Sequence, residues 1–118
     1  MSTKLYSAPY QVLYQPATVA TATSASTKVF ERDNIGYTIV WANGSGTPTG
    51  QFFVQVQNAI TDPWDSLNFG AVISLSNNSG SHSINLNQLP YGFVRVQYVP
   101  TAGQVDLTVT VVTKKIGG

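Results

Sequence analysis

Apolar and polar residues alternate with a period of two through much of this chain. In residues 51–57 one side of the pattern is Phe52, Val54 and Val56, and the other is Gln51, Gln55 and Gln57 with Phe53 among them. Residues 93–98 and 104–112 repeat the alternation, and residues 36–42 set Tyr37, Ile39 and Trp41 against Thr38 and Val40. This spacing is that of strands with one face in a core and the other in solvent. Trp41 shares its side with Ile39 and is expected in the core. No long window keeps a helical period with good helix formers, so no helix beyond a turn or two is expected.

Turn chemistry separates these runs. Residues 43–50 hold three glycines and Pro48 and are expected to end the strand before them. Residues 62–67 read as a turn leading into a short strand, 71–75 as another strand, 77–80 as a turn, and 83–86 as renewed alternation. Residues 100–103 read as a hairpin connection between the strand at 93–99 and the last strand, 105–113. Residues 17–27, small and β-branched, predict an edge strand and turn continued by 28–30, and 31–34 a turn. Residues 1–16 carry Tyr6, Tyr10, Tyr14, Pro9 and Pro16 without sustained periodicity and predict an extended arm before a domain spanning 17–118. The arm's tyrosines can dock on the domain's own flank or on a neighbouring subunit. About eight strands at this spacing define an all-β fold. The expected packing is a two-sheet antiparallel β-sandwich, the jelly roll being one topology open to it.

Composition narrows the functional classes. The 118 residues suit one domain with a core of its own. Charged residues are only 9% of the chain and the net charge is +1, with the cations scattered. No basic stripe follows a phosphate backbone, so nucleic acid is not the expected partner. With no cysteine, disulfides and thiolate metal sites are excluded. No apolar leader or stretch of membrane-spanning length is present, so the chain reads as a soluble product made in the cytoplasm and no membrane partner is expected.

The candidate chemistry is sparse. The acids are Glu31, Asp33, Asp62, Asp65 and Asp106, and no pair has the sequence context of an acid–base couple. Asp62 and Asp65 could share a calcium ion only with backbone carbonyls as most of the ligands, and a turn role through side chain to backbone bonds is the better reading. His82 is the lone histidine, with neither a nucleophile elbow for a hydrolase nor partners for zinc. The glycine-rich run at 43–50 lacks the lysine and helix of a phosphate loop. The chain is therefore expected not to be an enzyme and to need no metal or cofactor. Its contact candidates are aromatic: Phe53, exposed among glutamines, and Trp64 in its turn.

Three segments carry a resemblance. The strand after the Thr-Pro-Thr-Gly turn at 47–50, the tryptophan turn at 64–67, and the Leu86 to Tyr98 run with its Val-Arg-Val core are similar to small β-sandwich proteins of tailed bacteriophage virions. The likeness spans about residues 36 to 113 and includes no catalytic motif. It implies a capsid decoration or cement protein of the virion, a homo-oligomer contacting the major capsid protein or other virion proteins. Tyr6, Tyr10, Tyr14, Phe53 and Trp64 are then the partner-binding candidates, and losing residues 1–15 is expected to lower occupancy without unfolding the domain. The same segments also resemble discoidin-type carbohydrate-binding sandwiches. That likeness implies an alternative, a glycan-binding module of a tail or fibre using Trp64, Tyr91 and Arg95.

Overall fold

The computed structural model describes residues 3–6, 9–29, 34–59, 61–67, 73–87 and 91–117, with the backbone alone at 3–6, 73, 87 and 115–117. Nine strands among them join into one antiparallel sheet, and the all-β expectation holds. Its spine is a pair of long strands, β5 (Asn34–Gln57) and β9 (Phe93–Gly117), matched from Asn34 opposite Lys114 to Gln57 opposite Phe93. The other edge of β9 is lined by β1 (Thr3–Tyr6), β2 (Tyr10–Thr18), β3 (Ala22–Thr23) and β4 (Thr27–Lys28). The other edge of β5 is lined by β6 (Asp65–Ser66), β7 (Ile73–Leu75) and β8 (Gly80–Asn87).

The spine bends back on itself. Tyr37 Oη lies 3.3 Å from the carbonyl oxygen of Val94, to which it donates. Val94 pairs with Val56, nineteen residues further along β5 than Tyr37. A straight strand would separate those positions by about 60 Å, so the two halves of the sheet must face each other. Both halves feed one core. Ile35, Tyr37, Ile39 and Trp41 with Val105, Leu107, Val109 and Val111 come from the first half, and Phe52, Val54 and Val56 with Val94, Val96 and Tyr98 from the second. β5 and β9 pass through both halves, and the ladder is a single sheet folded over its own apolar face.

The parity of the buried positions shows how the bend is made. They are odd before it on β5 (35 to 41) and even after it (52 to 56), while on β9 they change from even to odd between Tyr98 and Val105. A one-residue slip turns a strand over. Both strands slip across the same corner, so their partners stay in phase: Trp41 faces Leu107 and Phe52 faces Tyr98. Register shifts at 42–50 and left-handed backbone at Asn43, Gly46, Thr47 and Gly103 supply the slip. Gly103 is required by space as well as by its φ of 67°, because a Cβ there would sit 2.6 Å from the Cα of Pro48. The Asp106 carboxylate braces the corner, accepting from Asn43 Nδ2 at 2.8 Å and from the Ala17 amide at 2.9 Å. Those bonds, the Asn43 one first, hold its pKa below the ordinary carboxylate value.

Beneath the corner the rings of Trp41, Phe52 and Tyr98 stack in tilted sequence, with centroids 6.0 Å and then 4.8 Å apart. Trp41 thus lies in the core as its alternation predicts. Tyr37 is buried deeper, and its hydroxyl also bonds Thr27 Oγ1 at 2.9 Å.

Three expectations change. Residues 43–50 do not end a strand, and 100–103 are not a hairpin connection: both are corners within continuous strands, since each half of β9 pairs with β5 and neither pairs with the other. Residues 10–18, extended as expected, form β2 on the ladder of β9 from Tyr10 opposite Val111 to Thr18 opposite Val105. Val12 and Leu13 pack against the core. The expected edge strand at 17–27 is divided between the end of β2, β3 and β4. The turn at 31–34 lies outside the described residues except Asn34, which opens β5, and Phe30, Ala71 and Val72 also lie outside them.

Because β2 completes the ladder and supplies core contacts, deleting residues 1–15 is expected to lower the melting temperature by on the order of 10 °C, read by circular dichroism. An unchanged midpoint would show the segment to be dispensable to the fold.

Burial holds the Tyr37 phenol well above the ordinary tyrosine pKa, its bond to Thr27 opposing the shift. The neutral phenol is the form the fold favours. Its stabilisation is complete below the unfolded value of about 10 and is lost as pH rises beyond it. Tyr37→Phe is expected to cost about 1–2 kcal/mol at neutral pH through the lost hydrogen bonds. It should also flatten the alkaline decline in urea-melt stability, with Tyr98, raised by burial too, sustaining the remainder.

Candidate functional site

The bend leaves each half of the sheet with one face outward. On the second half, Phe53 lies opposite Gln97, and Gln55 opposite Arg95. Thr23 extends the first row and Lys28 stands opposite Phe93. Paired residues share a face and successive residues alternate. Thr27 turns inward to meet Tyr37, which sends Lys28 outward.

A side-chain relay crosses this face. Arg95 Nε donates to Gln55 Oε1 at 2.8 Å, Gln55 Nε2 to Gln97 Oε1 at 3.3 Å, and Gln97 Nε2 to Thr23 Oγ1 at 3.4 Å. Arginine has no acceptor, so Gln55 must turn its oxygen toward Arg95 and its amide toward Gln97, and Gln97 follows suit. One cation thereby sets the polarity of the whole row.

Trp64 closes the end of the row. Its ring centroid lies 4.1 Å from the Arg95 guanidinium carbon, a cation–π contact. The turn that carries it is fastened from both sides. Asp62 Oδ2 accepts from the Ala59 amide at 3.1 Å, the Asp62 amide donates to the Ala59 carbonyl at 2.9 Å, and buried Gln57 donates through Nε2 to the Asp62 carbonyl at 2.8 Å. The reading of Asp62 as a turn residue is thus borne out. Partial burial lowers the pKa of Arg95 from its ordinary value, leaving a guanidinium that is charged at any working pH.

The structure brings together three of the sequence candidates, Phe53, Trp64 and Arg95. Tyr91 is half-buried and packs against the core at the foot of β9. Tyr10 and Tyr14 are about half exposed, on β2 beside the other half of the sheet. Tyr6 belongs to β1, and its side chain lies outside the described residues. His82 is exposed on β8.

Gln55, Gln97, Thr23 and Lys28 are members that sequence reasoning missed. The alternation places Gln55 and Gln97 on outward positions, but only the pairing of β5 with β9 puts one beside Arg95 and the other beside Phe53. Thr23 and Lys28 come from two-residue strands, too short to show any alternation.

No protein-family model matches the chain, and no curated protein does. Among solved structures the fold is similar to that of the SPBc2 prophage-derived protein YomS, with a TM-score of 0.55 and 13% identity over 98% of this chain and 96% of that one. Another match, from a structure described as Bacillus endospore appendages forming a novel family of disulfide-linked pili, covers 100% of this chain and 88% of that one at 13% identity and a TM-score of 0.45. At 13% identity the likeness to the prophage-derived protein is one of all-β fold alone.

A double-mutant cycle of Arg95→Ala and Trp64→Ala measured by chemical denaturation is expected to give a coupling of about 0.5–1 kcal/mol, the worth of a partly exposed cation–π pair. A coupling near zero would mean that the stacking does not order the face.

Proposed function

We propose that this chain is a non-enzymatic structural protein of a tailed-bacteriophage particle, a decoration or cement subunit that binds the coat protein or another virion protein. The observation that carries the reading is the outward face of the second half-sheet. Phe53, Trp64 and Arg95, the kinds of residue that anchor protein interfaces, share that face, with Arg95 fixed by its hydrogen bond to Gln55 and its contact with the Trp64 ring. The whole-length likeness of fold to a prophage-derived protein supports a phage setting. Two of the described carboxylates have structural duties, Asp62 in its turn and Asp106 at the corner, which favours adhesion over catalysis. A subunit of this kind gains affinity by repeating modest contacts over a lattice.

Quantitative mass spectrometry of purified particles tests the reading. A decoration subunit is expected in a simple ratio to coat protein. A few copies per particle would move it to the tail or baseplate, and absence from particles would reject the proposal.

A further inference from the structure

The outward face of the second half-sheet has a chemical polarity that identifies what it meets. The relay uses oxygens of Gln55, Gln97 and Thr23 as acceptors. Its unused groups are chiefly donors: the terminal N–H groups of Arg95 and one amide hydrogen on each glutamine. Lys28 adds a second positive charge on the same face. Among the described residues no carboxylate balances them there. Asp65 pairs with Val56 and so shares the opposite side of the sheet, Asp62 is bound in its turn, and Asp106 belongs to the corner. A second copy meeting this face with its own equivalent face is a poor occupant, because the two would oppose cation to cation.

We infer that this face is a receptor for a side-chain carboxylate of a partner protein, gripped by the Arg95 fork and flanked by Lys28 and the amides of Gln55 and Gln97. The inference rests on the reading of the chain as an adhesion subunit and names the chemistry of its partner. A planar guanidinium held against Trp64 and fixed through Nε by Gln55 presents its terminal nitrogens in the geometry that meets both oxygens of a carboxylate. Half-buried Phe53, diagonal to Arg95 in the pairing, offers apolar contact to the residue beside that carboxylate. Arg95 covers one face of the Trp64 ring and closes that face to stacking by a sugar.

The test is an NMR titration of the full chain that follows the side-chain Nε–H signal of Arg95 and the indole N–H of Trp64. The probes are a blocked tetrapeptide Gly-Phe-Glu-Gly, the same peptide with Gln for Glu, glucuronate, and inorganic phosphate. The Glu peptide is expected to give saturable shifts that weaken with added salt, and the Gln peptide none. Arg95→Gln should weaken binding at least about tenfold, the loss of a charge-assisted hydrogen bond. Arg95→Lys should also weaken it, since lysine keeps the charge but not the fork. The backbone amide spectrum of each variant reports its fold in the same experiment.

Equal shifts from the Glu and Gln peptides would overturn the inference, as would an Arg95→Lys variant that binds like the wild type. Tighter binding of phosphate or glucuronate would overturn it by giving the site to a different ligand. The two readings fail separately. A chain found in particles that ignores the Glu peptide keeps its structural role and loses this site; a chain that binds the peptide but is absent from particles does the reverse.

Discussion

Everything in this protein depends on the antiparallel pairing of β5 with β9. It joins the first half of the sheet to the second, gives every other strand an edge to pair with, and places the apolar side of each half against the other. Pairing over such a length is stable only if a buried face accompanies it throughout. The simultaneous slip of both strands at the corner provides that face. Had one strand alone slipped, its partner's apolar side chains would have turned outward across half the molecule.

The corner is therefore as important as the strands. Left-handed residues on both strands, the close approach of Gly103 to Pro48, and the Asp106 bonds to Asn43 and Ala17 make a bend that would otherwise break the ladder. Asp106 also ties β2 to the same point through Ala17, so the N-terminal strand and the bend are held by a single carboxylate. Close packing beneath the corner adds a second constraint. A Cβ at Gly80 would fall 2.6 Å from the Trp41 ring, and one at Gly50 would collide with Tyr98.

The fold also explains why the contact face is ordered. Side chains that cross a rigid sheet lose less entropy on binding than side chains on a loop, and the Arg95 relay removes further freedom by fixing two amides. Trp64, the one loop residue in the group, is held by the Asp62 turn, whose carbonyl accepts from Gln57. Chemistry that is sparse in the sequence is concentrated by topology on one surface.

Local pattern was enough to place most strands, to put Trp41 inside and Phe53 outward, and to give Asp62 its turn, because each depends on a repeat of two residues or on a side chain reaching its own backbone. It could not reveal that 43–50 and 100–103 are matching corners rather than a loop and a hairpin, since glycine and proline mark a change of direction without saying which strand continues beyond it. Nor could it show that β2 belongs to the ladder, because bulges in β2 at Gln11/Leu13 and Gln15/Thr18 interrupt the alternation. The alternation determined which side chains of each strand face together. The tertiary structure alone decided that Gln55 meets Arg95 and Trp64 covers it, because register and folding-over join residues about thirty to forty positions apart, and no period in the sequence encodes such a distance.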